Sequence, residues 1–440
     1  MKKYIANIPE TDKKRVVIVG GGFAGIKVMR KVNSDGFQTV LIDKNNFHQF
    51  QPLLYQVATA GLEPSTISFP VRKILQNEKD VHFRIAEILE VHADEKEIST
   101  TIGSLKYDHL ILAIGANTNF FGQENIMRYS LSMKTASDAI LIRNTILENF
   151  EKALLETDDE KISQYMNIVL VGGGPTGVEL AGALAEMKKY IFPKDYPELD
   201  LSKMRIVVYE ASPRILAGMS DHASRKALSY LRKLGVEVYT DTSVEDYDGN
   251  MIKLSDKSSL SSKTLIWAAG IKANPVTGLK KENFGRGNRM KVDRFNRLLG
   301  YKHIYALGDV CIMESPKYPN GQPQVAQVAI QQASNLANNL HRLKAGKTPR
   351  EFEYKNKGSM ATIGRNLAVA DLPFAKLKGF FAWVLWSFVH LFMIIGVKNR
   401  LSIFINWSWN YLTYDQSLRV LIKPKRLDGN QNSQTFTKRG

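Results

Sequence analysis

The sequence has almost no cysteine, since Cys311 is the only one in 440 residues. A single thiol excludes an intrachain disulfide and a redox-active cysteine pair, and it argues against a cysteine-based metal site. The first residues, MKKYIANIPETDKKRVVIV, contain no apolar segment of signal-peptide length and are not rich in Arg and Ser as transit peptides are. We therefore expect the protein to stay in the compartment where it is made, a reducing one.

Acidic residues are outnumbered: 60 Lys and Arg stand against 43 Asp and Glu, a net charge of +17. Hydrophobic residues make up 44% and charged residues 23%, which is ordinary for a globular chain and excludes disorder and fibrous folds. The length suggests two or three domains. The charge alone fits nucleic acid, an anionic membrane or an acidic substrate.

Long apolar runs are scarce, and the clearest one, 379–397, carries no formal charge. Three interpretations are open: a spanning helix, a buried core or dimer-interface helix, and an anchor that lies on a membrane. Lys398 and Arg400 end the run, and four of the five tryptophans lie in or near it (Trp383, Trp386, Trp407 and Trp409). This combination favours the surface anchor, and a membrane over nucleic acid. The tail after Lys423 is predicted to be disordered.

A first β–α–β unit follows the N-terminus. Residues 15–19 (RVVIV) predict a buried parallel strand, Gly20-x-Gly22-x-x-Gly25 follows, and the next strand ends at Asp43. Glycines at this spacing permit a tight turn and close approach to a pyrophosphate at a helix N-terminus, and Asp43 suits a ribose diol. The alternative is a tight turn without a ligand.

A second unit repeats the pattern. The strand 168–171 leads into Gly172-x-Gly174-x-x-Gly177, and Glu210 ends the next strand after an apparent insertion at 192–203. A carboxylate there accepts from a free ribose 2′-hydroxyl and repels a 2′-phosphate, which predicts NADH over NADPH, although Arg214 nearby argues the other way.

Two fingerprints imply two dinucleotides, ordinarily a flavin in the first and a nicotinamide in the second. Strands ending in Gly115 and Gly270 follow the two units. Asp309, after Gly308, fits either an acceptor for a ribityl hydroxyl or a helix N-cap, and both roles can coexist. The residues 323–340 predict a helix with Pro323 in its first turn. With one cysteine, electrons must leave the flavin directly for an acceptor.

Three further side chains are candidates for chemistry. Glu179 is two residues past Gly177, in the predicted first turn of the second fingerprint helix, so it compensates the helix dipole or lies beside the nicotinamide or flavin. Gln327 and Gln331, at i and i+4, share one helix face. They form a solvated face or donate to a flavin carbonyl or a quinone oxygen.

Several stretches resemble the type II NADH dehydrogenases (NADH:quinone oxidoreductases), within the pyridine nucleotide–disulfide oxidoreductase-like flavoproteins. They are VVIVGGGFAG, DKNNFHQFQPLLYQVATAGL, LILAIGANTNFFG, IVLVGGGPTGVELAGALAEM, LIWAAGIKANP, IYALGD, AQVAIQQ and WVLWSFVHLFMIIGVKNRL. The resemblance covers about residues 10–425. It implies FAD, NADH as substrate, a quinone (menaquinone or ubiquinone) near Gln327 and Gln331, a homodimer, and peripheral attachment to the cytoplasmic face of the cell membrane.

The residues expected to bind the cofactors follow from these motifs and the resemblance. They are Gly20, Gly21, Gly22, Phe23, Ala24, Gly25, Asp43, Lys44, Ile88, Gly115, Asp309 and Ala326, with Gly172, Gly174, Gly177, Glu210 and Gly270.

We therefore predict an α/β fold with two Rossmann-like dinucleotide-binding domains and a C-terminal membrane-associating helical region. The predicted boundaries are 1–165 and 285–345 for a split FAD domain, 166–284 for the NAD(H) domain and 346–440 for the C-terminal region. The expected activity is NADH:quinone oxidoreduction without proton pumping, and neither a metal nor nucleic acid is expected. The alternatives are a flavin-bound redox-sensing interaction protein and a sulfide:quinone oxidoreductase, which the single cysteine disfavours.

Overall fold

The computed structural model describes residues 3–32, 36–416 and 418–421. The tail after Lys423, for which disorder is predicted, lies outside this range.

The elements of the first third alternate between a nucleotide-binding unit and small antiparallel pieces. They are β1 (Arg15–Val19), α1 (Phe23–Val32), β2 (Gln38–Asp43), β3 (Phe47–Gln49), α2 (Leu54–Ala58), α3 (Pro64–Ile67), β4 (Ser68–Pro70), α4 (Val71–Ile74), β5 (Val81–Ile85), β6 (Ile88–His92), β7 (Glu97–Thr100), β8 (Gly103–Lys106), β9 (His109–Leu112) and β10 (Ala116–Thr118).

The middle third contains the second unit. Its elements are α5 (Glu124–Tyr129), β11 (Leu131–Ser132), α6 (Ala136–Ala153), α7 (Asp159–Met166), β12 (Ile168–Val171), α8 (Pro175–Tyr190), α9 (Phe192–Asp195), β13 (Ile206–Tyr209), α10 (Asp221–Lys233), β14 (Glu237–Tyr239), β15 (Val244–Tyr247), β16 (Met251–Leu254), β17 (Ser259–Ser261), β18 (Thr264–Trp267) and β19 (Ile271–Ala273).

The last third closes the first sheet and then forms the C-terminal region. Its elements are β20 (Met290–Lys291), β21 (Ile304–Ala306), β22 (Cys311–Ile312), α11 (Ala326–Lys344), β23 (Ser359–Gly364), β24 (Leu367–Asp371), β25 (Lys376–Lys378), α12 (Gly379–Met393) and α13 (Val397–Thr413).

Two five-stranded parallel sheets form the centre of the molecule. One has the order β21-β9-β1-β2-β5 and the other β11-β18-β12-β13-β14. The central strands β1 and β12 are buried along their whole length, as continuous apolar runs between two covered faces should be. The predicted α/β class with two Rossmann-like units is confirmed.

The exits of the two units are joined. Directly after Gly115 and Gly270, both at positive φ, the chain enters β10 and β19, which pair antiparallel. The Asn274 side chain donates to the carbonyl oxygen of Ile114 at 2.7 Å. The carboxyl edges of the two sheets are thereby held together, and such edges are where α/β folds bind ligands.

The C-terminal sheet β23-β24-β25 ties the second unit to the last two helices. Helix α8 packs on β23 and α2, and α12 packs on β24. Gly182 lies in α8 where a side chain would collide with the carbonyl oxygen of Ile363, which explains the small residue there. The helix is therefore covered on the face that carries its acidic residues.

The apolar run 379–397 does not form one helix. Helix α12 ends at Met393, Gly396 takes a φ of +87°, and α13 begins at Val397. Within the described part of the chain, no helix combines the length and the apolar character needed to cross a bilayer.

One predicted helix start is wrong. The helix expected over 323–340 begins at Ala326, because Val325 is extended, and Pro323 precedes it instead of occupying its first turn.

Candidate active site

The first fingerprint forms the turn between β1 and α1. Gly20 has a φ of +106°, and a side chain there would collide with the carbonyl oxygen of Ala113. At Gly25 it would collide with the carbonyl oxygen of Gly20. The Asp43 carboxylate accepts the backbone N–H of Gly21 at 2.5 Å. Gly20 and Gly25 are therefore required by close backbone approaches.

The second fingerprint repeats this geometry between β12 and α8. Gly172 has a φ of +108°, and a Cβ at Gly177 would collide with the carbonyl oxygen of Gly172. The Glu210 carboxylate accepts the backbone N–H of Gly173 at 2.6 Å and two bonds from Ser212. Glu210 directly follows β13, so the long spacing between fingerprint and acid is taken up elsewhere.

Each turn leaves open space at one of its glycines. A Cβ built on Gly22 or Gly174 would meet nothing within 4 Å, and neither α1 nor α8 has an acidic residue in its first turn. A helix N-terminus without a carboxylate suits a pyrophosphate. A carboxylate has about four acceptor positions, so Asp43 and Glu210 keep capacity for ribose hydroxyls. The residues present therefore fit a dinucleotide at each turn.

Asp309 lies in the short helical turn Gly308–Val310, next to a lysine that sequence reasoning did not select. The Lys134 ammonium is 4.0 Å from its carboxylate. Burial raises the pKa of the Asp309 carboxyl, and Lys134 and Arg289 oppose that rise. The N-cap alternative for α11 does not apply, because its N-cap position is Val325.

The other predicted cofactor residues occupy different places around the same edge. Lys44 is exposed beside Asp43, Ala326 opens α11, and Ile88 opens β6, three residues after β5. Gly115 has open space around it, whereas Gly270 faces the ring of Phe121. These positions keep their cofactor roles as predictions.

Gln327 and Gln331 share a face of α11, as their spacing predicts, and both amides already have backbone partners. Gln327 donates to the carbonyl oxygen of Gly358 and accepts from Lys357 N–H, at 2.9 and 3.2 Å. Gln331 bonds both backbone groups of Lys355, at 2.9 and 3.0 Å. In this structure the two side chains fasten residues 355–358 to the helix.

Glu179 is not in the first turn of its helix, because α8 begins at Pro175. It is one of the residues that the helix buries. Dipole compensation at the N-terminus is therefore not its role. The side chain is 9% exposed, and one oxygen accepts the backbone N–H of Thr362 at 3.4 Å. Burial raises the pKa of this carboxyl to about 8, and the facing indole of Trp386 and the Thr362 N–H only partly offset it. The carboxyl is therefore able to hold a proton near neutral pH.

A cavity of about 850 Å³, counted to its open mouth, lies between α8, β23 and the last two helices. Its walls combine a buried acid with aromatic rings, among them Glu179, Tyr55, Trp383, Trp386 and Trp407. A second acid, Glu186, lines it two helical turns away, and its pKa is also raised by burial. The lining is mixed, with polar and charged side chains between the rings, and suits a flat molecule that carries both apolar and hydrogen-bonding groups.

Sequence reasoning missed the residues that connect this cavity with the C-terminal helices. Trp407 donates to Gln56, and Gln56 in turn donates to Tyr55. The only available signal was the aromatic residue within the stretch LLYQVATAGL, which gives no indication of its distant partner.

The comparisons with known proteins agree with this geometry. A family model described as pyridine nucleotide-disulphide oxidoreductase matches residues 14–333, and one described as NDH2 C-terminal domain matches residues 356–414. The chain is 32% identical over 420 residues to the type II NADH:quinone oxidoreductase Ndh of Mycobacterium tuberculosis, covering 91% of this chain and 89% of that protein. It is 28% identical over 383 residues to a type II NADH:quinone oxidoreductase of Staphylococcus aureus, covering 84% and 93%.

Two solved structures share the fold. NDH2 from Plasmodium falciparum in complex with NADH matches with a TM-score of 0.86 and 23% identity, covering 93% of this chain and 100% of that one. The sulfide:quinone oxidoreductase of Aquifex aeolicus matches with a TM-score of 0.70 and 17% identity, covering 90% and 95%.

Proposed function

Since the chain belongs to the pyridine nucleotide-disulphide oxidoreductases and, among them, to the type II NADH:quinone oxidoreductases, we propose that it oxidises NADH and reduces a membrane quinone without pumping protons. The first fingerprint with Asp43 and Asp309 would hold FAD, and the second with Glu210 would hold NADH. Bound FAD supplies the two-electron carrier chemistry between them.

The cavity at Glu179 is the observation that carries the proposal. It lies beside helix α8, whose N-terminus is proposed to bind NADH, and also reaches the C-terminal helices α12 and α13. Its aromatic walls suit the planar ring of a quinone. A carboxyl with a pKa near 8 holds a proton close to an acceptor that needs two protons on reduction.

An absorbance experiment under anaerobic conditions tests the function. The purified protein is expected to show an oxidised flavin that bleaches when NADH is added and recovers when menaquinone or ubiquinone analogues are added in separate runs. A flavin that NADH bleaches but neither quinone reoxidises would contradict the proposal. It would favour the redox-sensing interaction protein, for which turnover with soluble quinones is negligible.

The fold it shares with a sulfide:quinone oxidoreductase does not make this chain one. A thiol pair is unavailable with a single cysteine, and Cys311 is buried in β22. Burial raises the pKa of its thiol to about 12, so the reactive thiolate is absent at neutral pH. Electron transfer from flavin to acceptor therefore proceeds without a sulfur relay.

The C-terminal helices are proposed to rest on the membrane surface. Helix α12 buries Ala382 and Trp386 and exposes Phe381 and Phe388, so its outer face is apolar. Exposed lysines flank the helices at positions 376, 378 and 398. An apolar face with a basic rim suits an anionic leaflet, for which we propose the cytoplasmic one.

Vesicle flotation tests this surface. The double variant Phe381→Lys/Phe388→Lys should lose binding to anionic vesicles, whereas Phe121→Lys, which changes an exposed phenylalanine outside these helices, should keep it. Equal flotation of both variants would place the attachment elsewhere.

The homodimer is also a proposal, and sedimentation in detergent tests it.

A further inference from the structure

A chain of hydrogen bonds runs from helix α13 into the wall of the cavity. The Trp407 indole N–H donates to the Gln56 side-chain oxygen at 2.7 Å, and the Gln56 NH₂ donates to the Tyr55 hydroxyl oxygen at 2.8 Å. An indole can only donate, so the carbonyl end of the Gln56 amide must face Trp407. The orientation of an amide is often ambiguous, but here the donor-only partner determines it.

The direction of these bonds leaves one hydrogen unused. Because the Tyr55 oxygen already accepts from Gln56, its own hydrogen is the group left to donate. Among the described residues, no acceptor is paired with it. The residue is only 6% exposed and lines the cavity together with Glu179. A buried donor without an acceptor is costly, which indicates that a ligand supplies the acceptor.

The phenol remains protonated under ordinary conditions. Burial, followed by the nearby Glu179 carboxylate, raises the pKa of Tyr55 well above its usual range. The hydroxyl therefore acts as a hydrogen-bond donor and not as an acid.

A quinone presents the complementary groups. Each of its two carbonyl oxygens can only accept, and its flat ring can pack against Trp386, whose own ring lies 6.4 Å from that of Tyr55. Its oxygens gain negative charge as the ring is reduced, and a donor held in place beforehand stabilises that charge. NADH, which binds at the second fingerprint, is not expected at the Trp407 side of the cavity.

On the basis of the proposed function, we propose that Tyr55 is a substrate-binding residue whose hydroxyl donates a hydrogen bond to a quinone carbonyl oxygen. Gln56 and Trp407 are positioning residues that keep this hydroxyl in its donating orientation. The helix that meets the membrane thus sets the hydrogen bonding of the site.

The variant Tyr55→Phe tests the binding role. The dissociation constant of a soluble quinone analogue, measured by quenching of the cavity tryptophans, should rise ~3- to 10-fold, as expected for a lost neutral hydrogen bond. The kcat/KM for the quinone should fall ~10- to 100-fold, because the bond strengthens as charge develops. Turnover of NADH with ferricyanide, which takes electrons without accepting this hydrogen bond, should stay within about twofold.

The variant Trp407→Phe tests the positioning role. It can be measured even if the Tyr55→Phe protein fails to fold. It keeps a ring but frees the Gln56 amide to rotate, so kcat/KM for the quinone should fall by about threefold. Trp409→Phe is the matched control on the same helix, since this exposed indole belongs neither to the cavity lining nor to the chain of bonds, and it should leave kcat/KM for a soluble quinone analogue unchanged. The double variant Tyr55→Phe/Trp407→Phe should be no worse than Tyr55→Phe alone, because both act through one hydroxyl.

Two results would overturn the proposal. One is an unchanged quinone dissociation constant and kcat/KM in Tyr55→Phe. The other is an equal loss with quinone and with ferricyanide, which would indicate general damage near the flavin. If the unaltered protein cannot reduce quinones at all, the proposed function fails instead, and the two failures are distinguishable.

Discussion

The two nucleotide-binding units use the same backbone device and differ in what covers it. In each, the acid after the second strand accepts the N–H of the middle glycine: Asp43 from Gly21 and Glu210 from Gly173. In each, the last glycine of the fingerprint lies against the carbonyl oxygen of the first glycine, where a side chain would not fit. The same turn geometry therefore recurs in both units, and it suits the pyrophosphate of either dinucleotide.

The units diverge seven residues after the first glycine, where α1 has Lys27 and α8 has Glu179. Lys27 is half-buried at the side of α1. Its pKa is lowered mainly by burial and further by the positive charges of Lys31 and Arg30. Glu179 is buried because β23 and α2 cover its helix. The difference shows that covering elements, more than the motif, decide where a fingerprint helix acquires a reactive group.

The largest expected effect comes from breaking the shared device in one unit at a time. Gly25→Val should give a protein that loses its flavin, because the new side chain collides with backbone. Gly177→Val should keep the flavin but weaken NADH binding by about 100-fold, a common scale for overpacking. Flavin absorbance detects the loss of flavin. Weaker NADH binding is detected by comparing the bleaching of the flavin by NADH with its bleaching by dithionite.

Gly218→Ala is the control for these variants, since a Cβ there meets nothing within 4 Å. Loss of both cofactors from both valine variants would mean that the units do not fold independently, and the comparison between them would fail.

The next effect concerns the buried acid. Glu179→Gln should lower quinone turnover by roughly 100-fold, the lower end of the effect of a positioned proton donor. In the unaltered protein, turnover should fall as pH rises through about 8, where the carboxyl loses its proton. The variant should lack this decline, and a rate–pH profile of each would reveal it. Identical profiles would exclude a proton-holding role.

The same residue predicts a change in stability with a definite sign. Between its ordinary pKa of 4.5 and about 8, the folded protein binds a proton at Glu179 that the unfolded chain has released. Stability is therefore lost as pH rises through this window, by on the order of 5 kcal/mol. Relative to the unaltered holoprotein, Glu179→Gln should gain in melting temperature from pH 5 to pH 9. A difference in melting temperature that stays the same from pH 5 to pH 9 would contradict the raised pKa of Glu179.

A smaller effect is expected from the acid of the second unit. Glu210→Ala removes the acceptor for Gly173 N–H and for a ribose hydroxyl, so KM for NADH should rise by roughly tenfold. The preference for NADH over NADPH should narrow because the 2′-phosphate is no longer repelled. Asp43→Ala should change neither KM for NADH nor the preference for NADH over NADPH. It should instead weaken the binding of the flavin, which is measured as flavin lost on dialysis.

The smallest effect is expected at the position equivalent to Glu179 in the first unit. Lys27→Met should change quinone turnover by less than about twofold, as a half-exposed substitution away from a site usually does. A fall as large as that of Glu179→Gln, in steady-state turnover, would mean that both helices contribute a charge to the reaction.

Local patterns predicted the parts of the fold that depend on neighbours in the chain. The run RVVIV forms β1, and both fingerprints form strand-to-helix turns, because buried apolar runs and glycine spacing act over a few residues. The environment of Glu179 depends on Thr362 and Trp386, far along the chain, so no local pattern reveals that its pKa is near 8. The bond between Trp407 and Gln56 joins residues 351 positions apart and was equally invisible.

Side-chain periodicity also has limits at the glutamines. Gln327 and Gln331 lie on one face of α11, but their spacing could not reveal that residues 355–358 would occupy both amides. Quinone contact by either residue stays a prediction.

The break at Gly396 has a practical consequence for handling the protein. Two short helices that turn back on each other suit the proposed surface attachment, in which they would dip into one leaflet. With the proposed attachment, raising ionic strength would screen the lysines yet leave the phenylalanines inserted, so salt alone should extract the protein poorly and mild detergent should release it. A lipid-soluble substrate could then enter sideways from the acyl chains, without passing through bulk water.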